Sequence, residues 1–471
     1  MSFTSRIKIE DLINNGSILV HKDGNHGAKY PRTEEFGELG VPFLTAKLLD
    51  NSGNIDLLKA PRLAKEKAQK FTFGFVQSED VLLSHNATVG RVAVMPQVDE
   101  PILIGTSLTH FRLDKSKILP TYLAAYFSGK DFQDQLAAVM SQTTRNQVPI
   151  TSQRKLYIEL PSIEIQAEIV KYIDSIDNKI RLNNKINQTL ESIAQAIFKS
   201  WFIDFDPVRA KIVAKQEGNN PEFAAMCVIS GKSEVELHQM AEDDFAELQA
   251  TAALFPDELV ESELGDVPKG WSVQKIKDFG RVICGKTPSK SIAEYYGNDI
   301  PFIKIPDMHH DVFVLDSFEK LSEKGSNSQA NKILPKGSIC VSCIATVGKV
   351  IITHQPSQTN QQINSIVPDL PIYTYFLYFL MGEKERLFHD LASGGSATLN
   401  MNTSTFSNVD ILMPNSKIIE AYDGVVSRIF DEILHNLKLS FLLGDMRDAL
   451  LPKLLSGELD VSGLDLELTH E

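Results

Sequence analysis

Ala87-Thr88-Val89-Gly90-Arg91-Val92 returns as Ala345-Thr346-Val347-Gly348-Lys349-Val350, and most of the chain returns with it. Val41-Pro42-Phe43 comes back as Ile300-Pro301-Phe302. The spacing between matched residues is 259 at Pro42 and Pro301, 258 at Gly90 and Gly348, and 253 at Pro161 and Pro414. From that proline it stays at 253 through an apolar helical pattern, so drift is confined to the loop-rich parts. An ordered series of this kind indicates a duplicated unit, two similar modules each ending in a long helix.

Within each module short apolar runs alternate with Gly, Asn, Pro and Asp turns, as in Asp80-Val81-Leu82-Leu83-Ser84 and Gly90-Arg91-Val92-Ala93-Val94. That pattern predicts short strands joined by turns. Helical stretches are mixed in, Pro120 to Phe127 and its counterpart Pro371 to Met381, so the fold class is α+β. Glycine at 90 and 348 most simply serves a turn that needs positive φ.

After Pro161 the apolar seam runs Ile169, Ile173, Ile176, Ile180, then Leu190, Ile193, Ile197; after Pro414 it runs Val426, Ile429, Ile433, then Leu443, Met446, Leu450. Steps of three and four predict long amphipathic helices with coiled-coil spacing, paired with each other. Polar residues interrupt both seams at the same point, Asn183 matching Asn436 and Asn187 matching Ser440. A polar residue at such a position fixes register and partner at some cost in stability. The expected architecture is two irregular mixed modules separated by two long antiparallel coiled-coil helices, an internal pseudo-two-fold repeat.

The formal charge of −14 argues against nucleic acid only until it is divided. Residues 1–160 hold 19 Lys/Arg against 17 Asp/Glu, and residues 267–413 hold 14 against 13. The acid sits in 216–266, with 1 against 13, and in 414–471, with 5 against 11. Both modules are slightly basic, and local patches rather than net charge decide nucleic-acid binding. The acidic connector contains Ile229-Ser230-Gly231-Lys232-Ser233, which lacks the first glycine of a phosphate loop and reads as a turn before a helix from Glu234 to Ala253.

No apolar run approaches the roughly 18 residues of a membrane span, and Met1 to Asp11 lacks the hydrophobic core of a signal peptide. Four cysteines give no disulfide framework, so a reduced cytoplasmic compartment is expected. Cys340-Val341-Ser342-Cys343 has no second pair or nearby histidine to complete a zinc site and reads as plain strand. No methyl-donor site, nuclease carboxylate set or phosphate loop is found: Phe205-Asp206-Pro207-Val208 lacks the second proline and aromatic of an adenine-holding quartet, and adjacent His309-His310 point to opposite sides. Catalysis by this chain is not expected.

Several stretches resemble the specificity subunit of Type I DNA restriction-modification systems. Gly24-Asn25-His26-Gly27 with Tyr30-Pro31-Arg32 resembles the opening of one class of target recognition domain, and Gly285-Lys286-Thr287-Pro288-Ser289 with Tyr295-Tyr296-Gly297 and Asp299-Ile300-Pro301-Phe302 resembles another. Glu263-Leu264-Gly265-Asp266-Val267-Pro268-Lys269-Gly270-Trp271 resembles the family's entry into its second such domain, and Met446-Arg447-Asp448-Ala449-Leu450-Leu451-Pro452-Lys453-Leu454-Leu455-Ser456-Gly457-Glu458-Leu459 its distal helix end. The resemblance implies a host-defence DNA reader without catalysis of its own, assembled with two modification (methyltransferase) subunits and with restriction (nuclease/translocase) subunits. S-adenosylmethionine, ATP and magnesium would sit on those partners, with no cofactor, metal or membrane for this chain. Each recognition domain would read half of a bipartite asymmetric site in double-stranded DNA, and the helix pair would set the gap. The alternative is a coiled-coil scaffold that holds partner proteins and reads no sequence.

The expected organisation is a first recognition domain at 1–160, a long helix at 161–205, an acidic helical connector at 206–266, a second recognition domain at 267–413, a second long helix at 414–456 and an acidic tail at 457–471. Base readout needs side-chain amides, Arg or Lys, and phosphate contacts add hydroxyls. Two polar segments recur at equivalent places. The first supplies Thr106 and Thr109 with Gln361, Gln362 and Asn364; the second supplies Arg145, Asn146 and Gln147 with Asn400 and Asn402. Lys47 and Lys304, just after the shared Pro-Phe, complete the candidate DNA-binding set.

Overall fold

The computed structural model describes residues 5–24, 27–50, 53–141, 146–263, 265–309, 311–393, 399–456 and 458–459. The chain forms two compact units, one of residues 1–184 with 439–471, the other of residues 185–438. Both units are built on the same sheet. In the first, the strand order is Ile18–Asp23, Leu108–Leu113, Val81–Asn86, Thr88–Val94; in the second it is Gly280–Cys284, Ile363–Pro368, Ile339–Ile344, Thr346–Ile352. The inner strands Val81–Asn86 and Ile339–Ile344 are buried along nearly their whole length, which is why they read as continuous apolar runs rather than alternating ones. Beside each sheet the shared Pro-Phe segment adds a parallel pairing, Phe43 with Leu103 and Phe302 with Gln358. An outer strand pair then brings the start of each module beside its end: Ser5–Lys8 with Tyr157–Leu160, and Ser272–Lys275 with Asp410–Met413.

The sequence motif that recurs is the central hairpin. Its turn residue is an alanine, Ala87 at φ 64° and Ala345 at φ 65°, and the glycines lie three residues further on, at φ 97° and 93°. Positive φ at the glycines is as expected, but they serve a bulge inside the strand: the pairing register shifts between Leu83 and His85 and between Val341 and Cys343. Ser84 Oγ accepts the Arg91 amide at 2.8 Å and Ser342 Oγ the Lys349 amide at 2.9 Å, so each bulge is stitched by the serine opposite it. A Cβ at Gly90 would lie 2.4 Å from Gln133 Oε1, and one at Gly348 2.5 Å from Glu385 Cγ.

The two long helices are Ile163–Phe202, 40 residues, and Ser416–Ser456, 41 residues. At 1.5 Å per residue each is on the order of 60 Å long. In the first unit, Asn183 Nδ2 donates to Ser440 Oγ at 3.2 Å and Arg447 Nη1 to Asp177 Oδ1 at 2.9 Å. In the second, Asn436 Nδ2 donates to Asn187 Oδ1 at 3.1 Å and Asn187 Nδ2 to the Ile433 carbonyl at 3.2 Å. Numbers rise on one helix as they fall on the other, so the pair is antiparallel, and all four register residues lie in its seam. The seam departs from expectation at one matched pair: Ile193 and Met446 are each 46 % exposed. The next residues take the inward place, Ala194 and Arg447, because the 3.6-residue turn favours a step of four there.

Each unit has its own core. In the first, Phe111, Tyr122, Phe127 and Phe132 pack with Ile169 and Ile173 of one long helix and Leu451 and Leu454 of the other. In the second, Phe376 and Phe388 pack with Phe198, Trp201, Tyr422 and Phe430. The connector folds as Asp206–Glu217, Pro221–Ser230, Glu234–Leu237 and Glu242–Ala253 around Ala225, Met226, Leu237 and Ala252. The expected single helix from Glu234 to Ala253 is thus two. Ser233 caps the first in a box with Glu236, and Glu242, Asp243 and Asp244 favour a fresh N-terminus for the second. Cys340 and Cys343 are buried strand residues whose thiols burial pushes up to about 12 and about 11, as for inert structural cysteines.

The hairpin supplies a paired test. Gly348→Ala is expected to lower the unfolding free energy by about 1–2 kcal/mol, the cost of a side chain in the left-handed region. Ala345→Gly is expected to leave it unchanged or raise it by up to about 1 kcal/mol on the same ground. Urea unfolding of the two variants measures both.

Candidate nucleic-acid interface

The segment that precedes each module's return is drawn onto the hairpin tip. The Ala87 amide donates to the Asn146 carbonyl at 3.0 Å and Val148 N to the His85 carbonyl at 2.8 Å. In the other module Ala345 N donates to the Leu399 carbonyl at 3.0 Å and Met401 N to the Cys343 carbonyl at 2.9 Å. Bridges Asn86–Gln147 and Ile344–Asn400 complete a short third strand at each tip. Asn146 and Asn400 are exposed there, and Gln147 is half-buried. Asn402 is exposed, but its Oδ1 accepts the Thr405 amide at 2.9 Å as the N-cap of Thr403–Ser407. Arg145 lies outside the described residues, as do 142–144 and 394–398.

The first polar segment divides between a sheet strand and the turn before it. Thr109 is fully buried, and its Oγ1 accepts from Gln153 Nε2 at 3.0 Å. Asn364 is also buried, with Oδ1 accepting from Thr403 Oγ1 at 2.8 Å. Both were expected at DNA; both instead tie a sheet strand to the segment leading back to the long helix, and neither presents a polar atom to solvent. Gln361 is exposed with Oε1 accepting from Thr287 Oγ1 at 2.7 Å, while Gln362 and Thr106 are half-buried. Gln362 Oε1 accepts from Asn360 Nδ2 at 2.9 Å.

The lysine pair is unequal. Lys47 is exposed and makes no hydrogen bond or ion pair with its side chain among the described residues. Lys304 is ion-paired with Glu319 and lies 5.6 Å from the Phe302 ring centroid. Its charge is offset within the module, so Lys47 is the stronger phosphate candidate.

Sequence reasoning missed how the glycine motifs join these segments. Gly24 and Gly285 each follow the first strand of their sheet, and their amides donate to the Leu108 and Ile363 carbonyls at 3.2 and 3.1 Å. A Cβ on Gly24 would fall 2.2 Å from the Ile104 carbonyl oxygen, and one on Gly285 2.1 Å from that of Asn360. The two unlike motifs thus occupy one structural place, beside Thr106 in one module and Gln361 in the other. The signal was present in the sequence as a glycine at the end of an apolar strand in both copies; only its partner strand was hidden.

Beneath the first module's sheet, His21 Nε2 meets Gln153 Oε1 at 3.1 Å, and Gln153 Nε2 also donates to the Val148 carbonyl at 3.0 Å. Burial holds His21 at about 4, against the opposing hydrogen bond that it donates to Gln153 Oε1. Among the described residues no group of three or more His, Cys, Asp or Glu is placed to hold a metal ion, and no helix is long and apolar enough to cross a membrane.

Residues 8–192 and 268–439 match the family described as the Type I restriction modification DNA specificity domain, so the chain belongs to that family. It is 46 % identical over 385 residues to the Type I restriction enzyme HindI specificity subunit of Haemophilus influenzae, covering 79 % of this chain and 84 % of that protein. It is 34 % identical over 185 residues to the MjaIX specificity subunit of Methanocaldococcus jannaschii, covering 38 % of this chain and 42 % of that one. The crystal structure of the Type I restriction-modification S subunit from M. genitalium matches at 12 % identity with a TM-score of 0.48, covering 96 % of each chain. The protein is a specificity subunit of a Type I restriction-modification system.

Gln153→Ala is expected to lower stability by about 1–3 kcal/mol, because it strands buried polar atoms of His21 and Thr109. His21 has its own pH signature. Its folded value of about 4 lies below the ordinary 6.5, so its contribution is fully present above pH 6.5 and is lost as pH falls through about 4. His21→Gln should make the fall in stability between pH 7 and pH 4 shallower, as followed by urea unfolding across that range.

Proposed function

We propose that each module reads one half of a bipartite, asymmetric DNA site and that the helix pair fixes the separation of the halves. The observation that carries this reading is the hairpin tip. The same backbone arrangement recurs in both modules, while the side chains on it differ: exposed Asn146 with half-buried Gln147 in one, exposed Asn400 in the other. Equal scaffolds with unequal readers fit two unlike half-sites, much as dimeric readers with equal halves fit palindromes. Amides of this type make bidentate contacts to adenine, and Lys47 suits a phosphate. Tethering raises the effective concentration of the second contact once the first has formed.

The chain is a reader and not a catalyst in this proposal. Two modification subunits supply S-adenosylmethionine-dependent adenine methylation, and restriction subunits supply ATP- and magnesium-dependent cleavage, in the cytoplasm. The near-neutral modules beside an acidic connector support a DNA contact confined to module surfaces.

Exchange of residues 1–155 for the corresponding part of another family member tests the reading. The expected outcome is methylation by the assembled complex at a site with one half changed and the other retained. An unchanged site in an assembled, active complex would establish the non-reading scaffold instead. Within the native chain, Asn146→Ala and Asn400→Ala should each weaken specific binding by about 1–3 kcal/mol, as loss of a bidentate base contact does, with each variant relaxing preference in a different half-site when binding to randomised duplexes is sequenced.

A further inference from the structure

The first unit contains an open cleft of about 690 Å³ between the Thr88–Val94 strand, the Pro120–Ser128 helix and both long helices. The second unit fills the equivalent place with its own aromatic side chains. The helices Pro120–Ser128 and Tyr373–Glu383 correspond by their core faces, where Tyr122, Leu123, Tyr126 and Phe127 match Phe376, Leu377, Leu380 and Met381. The same alignment sets Thr121, Ala124 and Ala125 of the cleft wall against Tyr375, Tyr378 and Phe379. On the long helices, the constant spacing of 253 sets Asp177 against Phe430 and Arg447 against Ala194. In the second unit Tyr375 stacks on Phe430 at 4.3 Å, with Tyr378 and Phe379 each 5.7 Å from it. Tyr378 Oη also donates to Glu191 at 2.6 Å.

The first unit therefore keeps the walls of an aromatic cluster and lacks its rings. The polar wall shows what else the occupant carries. Asp177 and Asp448 hold Arg447, and Arg181 donates to Asn178 Oδ1. Asp174, half-buried in the wall, makes no hydrogen bond or ion pair among the described residues. Burial, with Asp177 beside it, pushes its carboxyl above the ordinary range against the opposing pull of Arg181, an effect that a further cation would offset. The wall holds three arginines as well, but Arg91 is tied to the Ala46 and Leu49 carbonyls and Arg447 to Asp177 and Asp448, so Asp174 is the carboxylate left to meet an incoming cation.

We propose that this cleft is a docking socket for a segment of a partner protein that presents an aromatic side chain beside a lysine or arginine, the ring filling the place of the second unit's Tyr375 and Tyr378 and the cation meeting Asp174. The interaction goes beyond DNA reading and can be measured without DNA. The probe is the amidated tripeptide Lys-Trp-Lys carrying 5-fluorotryptophan, followed by ¹⁹F NMR against the full chain. A dissociation constant on the order of 1 mM is expected for so small a probe. Glu-Trp-Glu should bind at least about tenfold more weakly, and Ala124→Tyr, which restores the second unit's residue, should weaken Lys-Trp-Lys by at least about tenfold. Asp174→Asn, which leaves the wall's shape intact, should reduce the preference for lysine over glutamate and keeps the test independent of how Ala124→Tyr folds. Absence of binding up to about 5 mM, equal binding of the two tripeptides, an unchanged preference in Asp174→Asn, or 5-fluoroindole binding as well as Lys-Trp-Lys would overturn the proposal.

Discussion

The buried amides in the helix seam are the contacts on which the pairing of the two long helices depends. Asn183 is fully buried, and Asn187 and Asn436 nearly so, in a seam lined mostly by apolar side chains. Asn183 meets Ser440 and Asn187 meets Asn436. The repeat relates Asn183 to Asn436 and Ser440 to Asn187, so each contact is the other read through the duplication. A slip of one turn would bury these amides against aliphatic neighbours, and each unsatisfied group would cost about 1–3 kcal/mol. Leucine at the same positions would hold the helices together without choosing a register. The polar pair thus trades some stability for a defined register of the helices.

Around that seam the two units have diverged in a way that follows from local packing. The bulged hairpin, the glycine at the end of the first strand and the outer strand pair recur because backbone geometry demands them. The side chains facing each helix pair do not recur. Phe430 with Tyr375, Tyr378 and Phe379 makes a closed aromatic cluster, with each ring pair worth about 0.5–1.5 kcal/mol beyond burial. At the matching positions Asp177, Thr121, Ala124 and Ala125 leave a cleft. One unit has spent these positions on its own core, and the other has left them open to a partner.

Much of the architecture was legible in the sequence because duplication repeats each signal. Helices after Pro161 and Pro414, the hairpin around Gly90 and Gly348, and the polar interruption at Asn183 and Asn436 each occur twice, and the pairs corroborate one another. What was not legible turned on which face a residue takes. Thr109 and Asn364 lie in polar stretches that read as surface, yet both fall in inner strands buried at consecutive positions, where Gln153 and Thr403 use them. Ile193 and Met446 fit a heptad step of three, and the helix took a step of four instead. Lys47 and Lys304 look alike in sequence and differ because Glu319, in the bend before Lys320–Leu321, has Pro61 in its place in the other copy. The break after Leu237 was masked by continuous helix-favouring composition.

The central claim is that the helix pair is the ruler between two unlike readers. Matched insertion of seven residues into both helices, opposite one another across the seam, lengthens the pair by about 10 Å, the span of roughly 3 base pairs. Sequencing the sites methylated by the assembled complex reads the result directly. The account predicts unchanged half-site sequences with a longer gap between them; an active complex that methylates at the original gap would contradict it.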